Sequence, residues 1–196
     1  MRLRSFALSG KRSQPAAALT GAFTMSFVVR RARQSDADAL PAIERSAAEL
    51  FRSDPTLAWL ADTDVASTAQ HRQFIDHAHV WVAENTSAQL AGFIRALDVG
   101  KQLHVEELSV SLAFQGQGVG RDLLLAAIEH ARREQMRAVT LTTFRDVPWN
   151  APFYQRMGFV DVAPGEHAAH LLDALQKEVE HGFAAERRCA MHLILP

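Results

Sequence analysis

The sequence predicts a mixed α/β fold, a central and mostly antiparallel sheet flanked by helices. Three observations carry that expectation. From Phe27 onward, short β-branched runs alternate with stretches of helical periodicity. The early strands are joined by short turns, as antiparallel hairpins are, whereas the later ones are separated by helices. No segment repeats, which sets solenoids and propellers aside.

The elements follow in order. Phe27-Val28-Val29-Arg30-Arg31-Ala32 reads as a strand. Ser35-Asp36-Ala37-Asp38 opens a helix, with the Ser35 hydroxyl as cap and the carboxylates on the positive helix end. Leu40, Ile43, Ala47, Leu50 and Phe51 continue at helical spacing until Ser53-Asp54-Pro55 breaks the run. A more polar helix covers Val65 to His77. Val80 to Ala83 and Leu90 to Leu97 form a hairpin around Glu84-Asn85-Thr86-Ser87. Leu103 to Leu112 is a strand, and Gly118 to Arg133 an amphipathic helix burying Leu123, Leu124, Ala127 and Ile128. Ala138 to Phe144 is β-rich. Ala151 to Met157 is a short helix ended by Gly158. Phe159-Val160 begins a strand, His167 to His181 is a helix, and Arg188 to Leu195 closes the chain as an edge strand open to a second subunit.

Composition narrows the function. An apolar content of 48% supplies a substantial core. A net charge of −1 gives no footprint for nucleic-acid phosphates. No stretch approaches the roughly 20 apolar residues of a membrane-spanning helix. The single cysteine, Cys189, excludes an internal disulfide and fits a reducing, cytoplasmic location. Residues 1–25 carry Arg2, Arg4, Lys11 and Arg12 and no acidic residue. They read as a flexible leader, either transit-like or preceding the true start at Met25, and residues 26–196 as the folded domain.

The chemistry concentrates where a strand runs into Gln115-Gly116-Gln117-Gly118-Val119-Gly120-Arg121 and then a helix. Glycines at alternate positions let consecutive amides face one concavity, and the helix end adds positive potential. That is an anion site suited to phosphate. A Walker loop would end in Gly-Lys-Ser or Gly-Lys-Thr, but Arg121-Asp122 follows Gly120. A dinucleotide fingerprint needs Gly-x-Gly-x-x-Gly after the first strand of a parallel unit, and this run differs in spacing and place.

Gln115-x-x-Gly118-x-Gly120 resembles the Gln/Arg-x-x-Gly-x-Gly/Ala signature of the GNAT superfamily of acyl-CoA-dependent N-acetyltransferases. Asn150-Ala151-Pro152-Phe153-Tyr154-Gln155-Arg156-Met157-Gly158-Phe159 is similar to a second segment of that family, Asn…Tyr-x-x-x-Gly-Phe, although its Asn-to-Tyr spacing is shorter than in many relatives. The resemblance covers about Phe27 to Leu195. It implies a GNAT-like fold that uses acetyl-CoA as cosubstrate. Backbone groups of Leu108, Ser109 and Val110 would pair with the pantetheine arm. Gln115, Gly116, Gln117, Gly118, Val119, Gly120 and Arg121 would hold the pyrophosphate, and Asn150 would belong to the cofactor site. A bulge or splay beside that strand would open the slot where thioester and amine meet.

The acceptor would be a primary amine of a small molecule or peptide. Such an amine is only about 0.1% neutral at pH 7, so a base must deprotonate it. Glu106 and Glu107 are candidates; strand alternation places them on opposite faces, with Glu107 toward substrate. Tyr154 would assist the leaving thiolate. With ordinary pKa values that proton donation is uphill by about 2 kcal/mol. His104 is a candidate proton relay, Trp59 and Trp149 could line an acceptor pocket, and Asp54 and Asp64 could attract a cation. The nine histidines include His77-x-His79 and His167-x-x-His170, but neither brings a third ligand or a zinc pattern, so no metal is expected. The alternative function is a non-catalytic acyl-CoA sensor or interaction module of the same fold.

Overall fold

The structure, a computed structural model, describes residues 4–5, 26–163 and 168–196. The rest of the leader and the expected helix start at His167 lie outside the described residues. The strands are β1 (Arg4–Ser5), β2 (Phe27–Arg31), β3 (His79–Asn85), β4 (Leu90–Val99), β5 (Gln102–Val110), β6 (Ala138–Phe144), β7 (Val160–Asp161) and β8 (Arg188–Ile194). The α-helices are α1 (Leu40–Ala48), α2 (Thr68–His77), α3 (Val119–Arg133), α4 (Ala151–Arg156) and α5 (Ala169–Glu180). The sheet runs β2-β3-β4-β5-β6-β8-β7, with β1 joined to β5. Along that path only β5 and β6 are parallel, linked through α3, as the expected β-α-β unit requires.

Residue alternation assigns each face of the sheet. Trp81, Ala83, Ile94, Ala96, Leu103, Val105, Val139 and Leu141 pack with α3 (Leu123, Leu124, Ala127, Ile128) and with Phe153 and Tyr154 of α4. The intervening Val82 and Phe93 point to the other face, against Leu40 and Ile43 of α1. On that face α5 is bound by polar contacts. Glu178 takes Arg188 in two hydrogen bonds of 2.7 Å and the Thr142 hydroxyl at 2.5 Å, all buried. The Arg188 guanidinium lies over the Phe144 ring at 4.3 Å.

Three expectations change. The helix opening at Ser35 is a 3-10 turn, Gln34–Asp38, and Asp36 rather than Ser35 secures it. Its carboxylate accepts the Arg33 amide at 2.6 Å and both Arg30 terminal nitrogens at 2.7 and 3.0 Å. The bidentate charge-assisted pair outcompetes a neutral hydroxyl cap. β8 is not an edge strand, because the two-residue β7 pairs with its outer side at Met191 and His192. Arg4–Ser5, inside the leader set aside from the fold, pairs in parallel with Glu107 and Leu108.

His104 is 5% exposed on β5; its Nδ1 lies 3.1 Å from the Thr140 hydroxyl, which also meets His170 Nε2 at 3.2 Å. Burial, and secondarily His170, push the imidazole pKa down from 6.5 to about 3. The unfolded chain therefore takes up this proton well before the folded one does. Stability contributed here is complete above about pH 6.5 and is lost as pH falls toward 3. His170, also pushed down by burial, adds to the same slope. In urea denaturation at stepped pH, His104→Gln is expected to flatten the dependence of unfolding free energy on pH between 6.5 and 4, a window set by those values.

Candidate active site

The site grows from an irregularity in β5. β4 pairs with β5 in antiparallel register, but Arg95 lies opposite Glu107 while the next residue, Ala96, lies opposite Val105. One extra residue, Glu106, is absorbed in a bulge. Val105 and Leu108, three apart, both pack on the α3 side, which strict alternation forbids. The expectation that Glu106 and Glu107 face opposite ways is therefore overturned. The bulge turns both carboxylates toward the α1 and α2 face, next to Arg95.

The two carboxylates have different surroundings. Glu106 is 2% exposed, and its Oε2 accepts the Arg95 Nε–H at 3.0 Å. Burial raises its pKa above the ordinary carboxylate value, with Arg95 opposing. Glu107 accepts the Ser109 hydroxyl at 2.5 Å. It also lines a cavity of about 330 Å³ together with Glu44, Asp64, Gln70, Phe74 and Arg95. The Arg95 guanidinium stacks 3.9 Å from the centre of the Phe74 ring.

β5 and β6 pair only from Gln102 to Val105 and then part. Leu108, Ser109 and Val110 continue along β4 while their other side parts from β6, and there Arg4–Ser5 pairs with Glu107 and Leu108. After Val110 the chain makes a 3-10 turn, Leu112–Phe114, before the glycine run. Ser46 of α1 holds that turn, its hydroxyl accepting the Leu112 amide at 3.0 Å and meeting the Ser111 hydroxyl at 3.1 Å. Gly116 and Gly118 take φ of +73° and +87°, and Gly118 is the left-handed N-cap of α3. The first-turn amides of Val119, Gly120 and Arg121 have no acceptor within the helix, as at any helix start.

Gln115 plays a different part from its neighbours. Its side-chain amide donates to the Val110 carbonyl at 3.0 Å, and its backbone amide to Leu112 at 3.4 Å. Gln117 likewise donates to the Ala113 carbonyl at 3.1 Å. Both side chains brace the loop, so any anion contact there would fall to backbone from Gly116 to Arg121.

α4 delivers the last members. Asn150 caps it, with Pro152 in its first turn. Its side-chain nitrogen and oxygen are buried without a hydrogen-bond partner, as is the Tyr154 hydroxyl four residues on. Burial, and then the Glu107 charge, raise the Tyr154 pKa above its ordinary 10. Three such orphaned polar atoms on one helix start are costly unless a ligand meets them. They fit amide and sulfur groups of a pantetheine thioester.

Other residues fall elsewhere. Trp149 packs on Phe51, Trp59 on Phe183, and Asp54 pairs with Arg187 at 2.7 Å. His104 bonds across to β6. Of the peripheral candidates only Asp64 reaches the cavity. Sequence reasoning passed over Glu44, Arg95, Gln70 and Phe74. A signal for Glu44 was present: positions 40, 43, 44 and 47 share one helical stripe, and Glu44 is the charged member of an otherwise apolar face. It is 5% exposed, accepts the Ala66 amide at 3.3 Å and lies 3.5 Å from His71.

Comparison with known proteins agrees with this geometry. The model of the Acetyltransferase (GNAT) family matches residues 44–159. The chain is 35% identical over 89 residues to N-acetyltransferase family 8 member 2 of Rattus norvegicus, covering 42% of this chain and 39% of that protein. Member 3 from the same organism is 35% identical over 85 residues, with 40% and 37% covered. The matched segments thus span well under half of those relatives. Among solved structures, the PaiA N-acetyltransferase of Thermoplasma acidophilum in complex with coenzyme A superposes with a TM-score of 0.64 at 15% identity, covering 87% of this chain and all (100%) of that one. Ribosomal-protein-alanine N-acetyltransferase of Brucella melitensis gives 0.62 at 21% identity, covering 86% and 99%. At these identities the likeness is one of fold.

Two glycines separate conformational from steric constraint. A Cβ on Gly118 would meet nothing within 4 Å, so its demand is the positive φ alone. A Cβ on Gly92 of β4 would lie 2.7 Å from the Ser109 carbonyl oxygen and 3.2 Å from Val110 Cα, both backbone. Gly118→Ala is expected to cost about 1 kcal/mol and Gly92→Ala about 2–3 kcal/mol. Urea denaturation of the two variants checks the order.

Proposed function

Because the chain belongs to the GNAT family of acetyltransferases, we propose that it transfers an acetyl group from acetyl-CoA directly to a primary amine of a small molecule or peptide. The observation that carries the reading is the order of features along β5 and the loop after it. Glu107 lines a cavity, Ser109 and Val110 lie beyond the pairings with β6 and with Arg4–Ser5, and the glycine loop leads into α3.

Backbone amides of Gly116, Gln117, Gly118, Val119, Gly120 and Arg121 hold the pyrophosphate, with α3 directing its positive end at them. Backbone groups of Ser109 and Val110 take the pantetheine arm as a strand takes its neighbour, and those of Leu108 join them when Arg4–Ser5 gives up its pairing there. Asn150 offers the arm a donor and an acceptor. Backbone amides at the splay also polarise the thioester carbonyl.

Glu107 accepts the amine proton, directly or through a water, and the freed lone pair attacks the thioester carbon. The C–S bond breaks as the C–N bond is completed, and the departing thiolate takes up the second nitrogen proton, leaving neutral amide and CoA thiol. Tyr154, with its pKa raised, keeps its proton. Its part is a hydrogen bond to the departing sulfur rather than full proton transfer. Glu106 is bound to Arg95 and positions it. Glu44, Asp64 and Glu107 make the acceptor cavity rich in carboxylates, which suits an amine that arrives as a cation.

Calorimetric titration with acetyl-CoA, followed by CoA-release assays over a panel of amines, tests the reading. Binding lost in Gly118→Val, with turnover on at least one amine, supports it. Binding without transfer to any amine would leave the non-catalytic sensor. Glu107→Gln is expected to lower kcat by about 10²- to 10⁴-fold. Tyr154→Phe should slow turnover by roughly 10²-fold or less without abolishing it. Complete loss in Tyr154→Phe with intact cofactor binding would contradict the hydrogen-bond role.

A further inference from the structure

Away from this site, three side chains from distant parts of the chain converge at the open end of the β3–β4 hairpin. His79 begins β3, Asp98 lies near the end of β4, and His130 stands in the last turns of α3. One ligand atom from each lies within 4.8 Å of the other two. His79 Nε2 is 2.8 Å from Asp98 Oδ1, and the two imidazole rings are 4.4 Å apart. His130 Nε2 is buried without a hydrogen-bond partner. We propose that His79, Asp98 and His130 form a binding site for a first-row divalent cation, with zinc as the ion they suit best.

The donor chemistry supports this. Two imidazoles and one carboxylate are borderline-hard ligands that zinc accepts in tetrahedral sites, at about 2.0–2.2 Å from the ion. Ligand atoms around such an ion stand roughly 3.3–3.6 Å apart. Binding an ion there requires the His79–Asp98 pair to open from 2.8 Å and the longest pair to close from within 4.8 Å, shifts of about an ångström. A fourth position opens onto a cavity of about 400 Å³ that Glu134 also lines, so Glu134 or water completes the shell. Helix polarity acts in the same direction, because His130 sits at the negative end of α3. The site is about 10 Å along β4 from Arg95, three residues away, and lies outside the acceptor cavity.

Two cations oppose the ion, and one makes the proposal specific. Lys101 lines the same cavity. Arg31 Nη1 lies 3.1 Å from His79 Nδ1. Arginine can only donate, so Nδ1 accepts and Nε2 carries the proton that faces Asp98. That proton stands where the metal would. Coordination through Nε2 moves it to Nδ1 and breaks the Arg31 contact. Arg31 is therefore a built-in competitor, and its removal should tighten the site.

The test is a titration of the tag-free full chain with Zn²⁺ by calorimetry and with Co²⁺ by visible absorption. The expected result is one ion per chain with a dissociation constant on the order of micromolar, and a four-coordinate Co²⁺ spectrum that Zn²⁺ abolishes. His130→Ala and the near-isosteric Asp98→Asn should each weaken binding by at least about 10-fold. Arg31→Ala should tighten it, and His181→Ala, at the exposed histidine that follows α5, should change nothing. Circular dichroism establishes that each variant is folded, and Asp98→Asn answers the question should His130→Ala not fold. No saturable binding below about 100 µM, or binding that survives both ligand substitutions, would overturn the proposal.

Discussion

The extra residue in β5 is the constraint on which the active site depends. A regular strand would send Glu106 and Glu107 to opposite faces and would leave Leu108 and Val110 pointing away from α3. The bulge resolves both at once. It returns Leu108 and Val110 to the core packed on α3, and it gathers two carboxylates beside Arg95 on the face covered by α1 and α2. Two buried carboxylates side by side would repel strongly without a cation. Arg95, bonded to Glu106, supplies it and so leaves Glu107 to face the cavity. The parting of β5 from β6 begins at the same point, so the irregular register and the open backbone edge are two aspects of one local departure from a regular sheet.

α3 connects this region to the rest of the molecule. Its first turn meets the glycine loop, its apolar stripe holds the sheet, and its last turns place His130 against β3 and β4. The polarity of one helix thus favours an anion at one end and a cation at the other. Side chains of Gln115 and Gln117 stiffen the loop so that its amides keep their direction.

Much of this was legible in the sequence because it depends on local rules. Periodicity located the elements, Gly116 and Gly118 announced their left-handed turns, and two motifs in register pointed to the family. What the sequence hid depends on contacts between distant positions. The resemblance implied a bulge or splay beside this strand, but no glycine or proline marks its place at Glu106; the register with β4 and the packing of Val105 and Leu108 on one face reveal it. The Asp36 cap requires Arg30 to be aimed at it from β2. β8 looks like an edge strand until two residues, Val160 and Asp161, cover it. The clustered histidines of the sequence misdirected attention. His77-x-His79 contributes one residue to the triad, and the other two come from 19 and 51 positions beyond His79.

The acceptor cavity and the cofactor cradle draw on different lengths of chain. Glu44, Asp64, Gln70 and Phe74 come from the α1–α2 region, whereas the groups assigned to acetyl-CoA lie between Leu108 and Tyr154. Arg95 and Glu107 lie between the two, and Ser46 of the first stretch reaches the second, its hydroxyl accepting the Leu112 amide at 3.0 Å. On the proposed function, the side chains at positions 44, 64, 70 and 74 can therefore vary with the acceptor while the segment assigned to the donor is kept, provided that Ser46 retains its hold on Leu112. The reverse is closed off at Gly92, where even a methyl group would collide with the β5 backbone at Ser109 and Val110. The four cavity positions are thus separable from the donor's segment, whereas Ser46 and Gly92 belong to both.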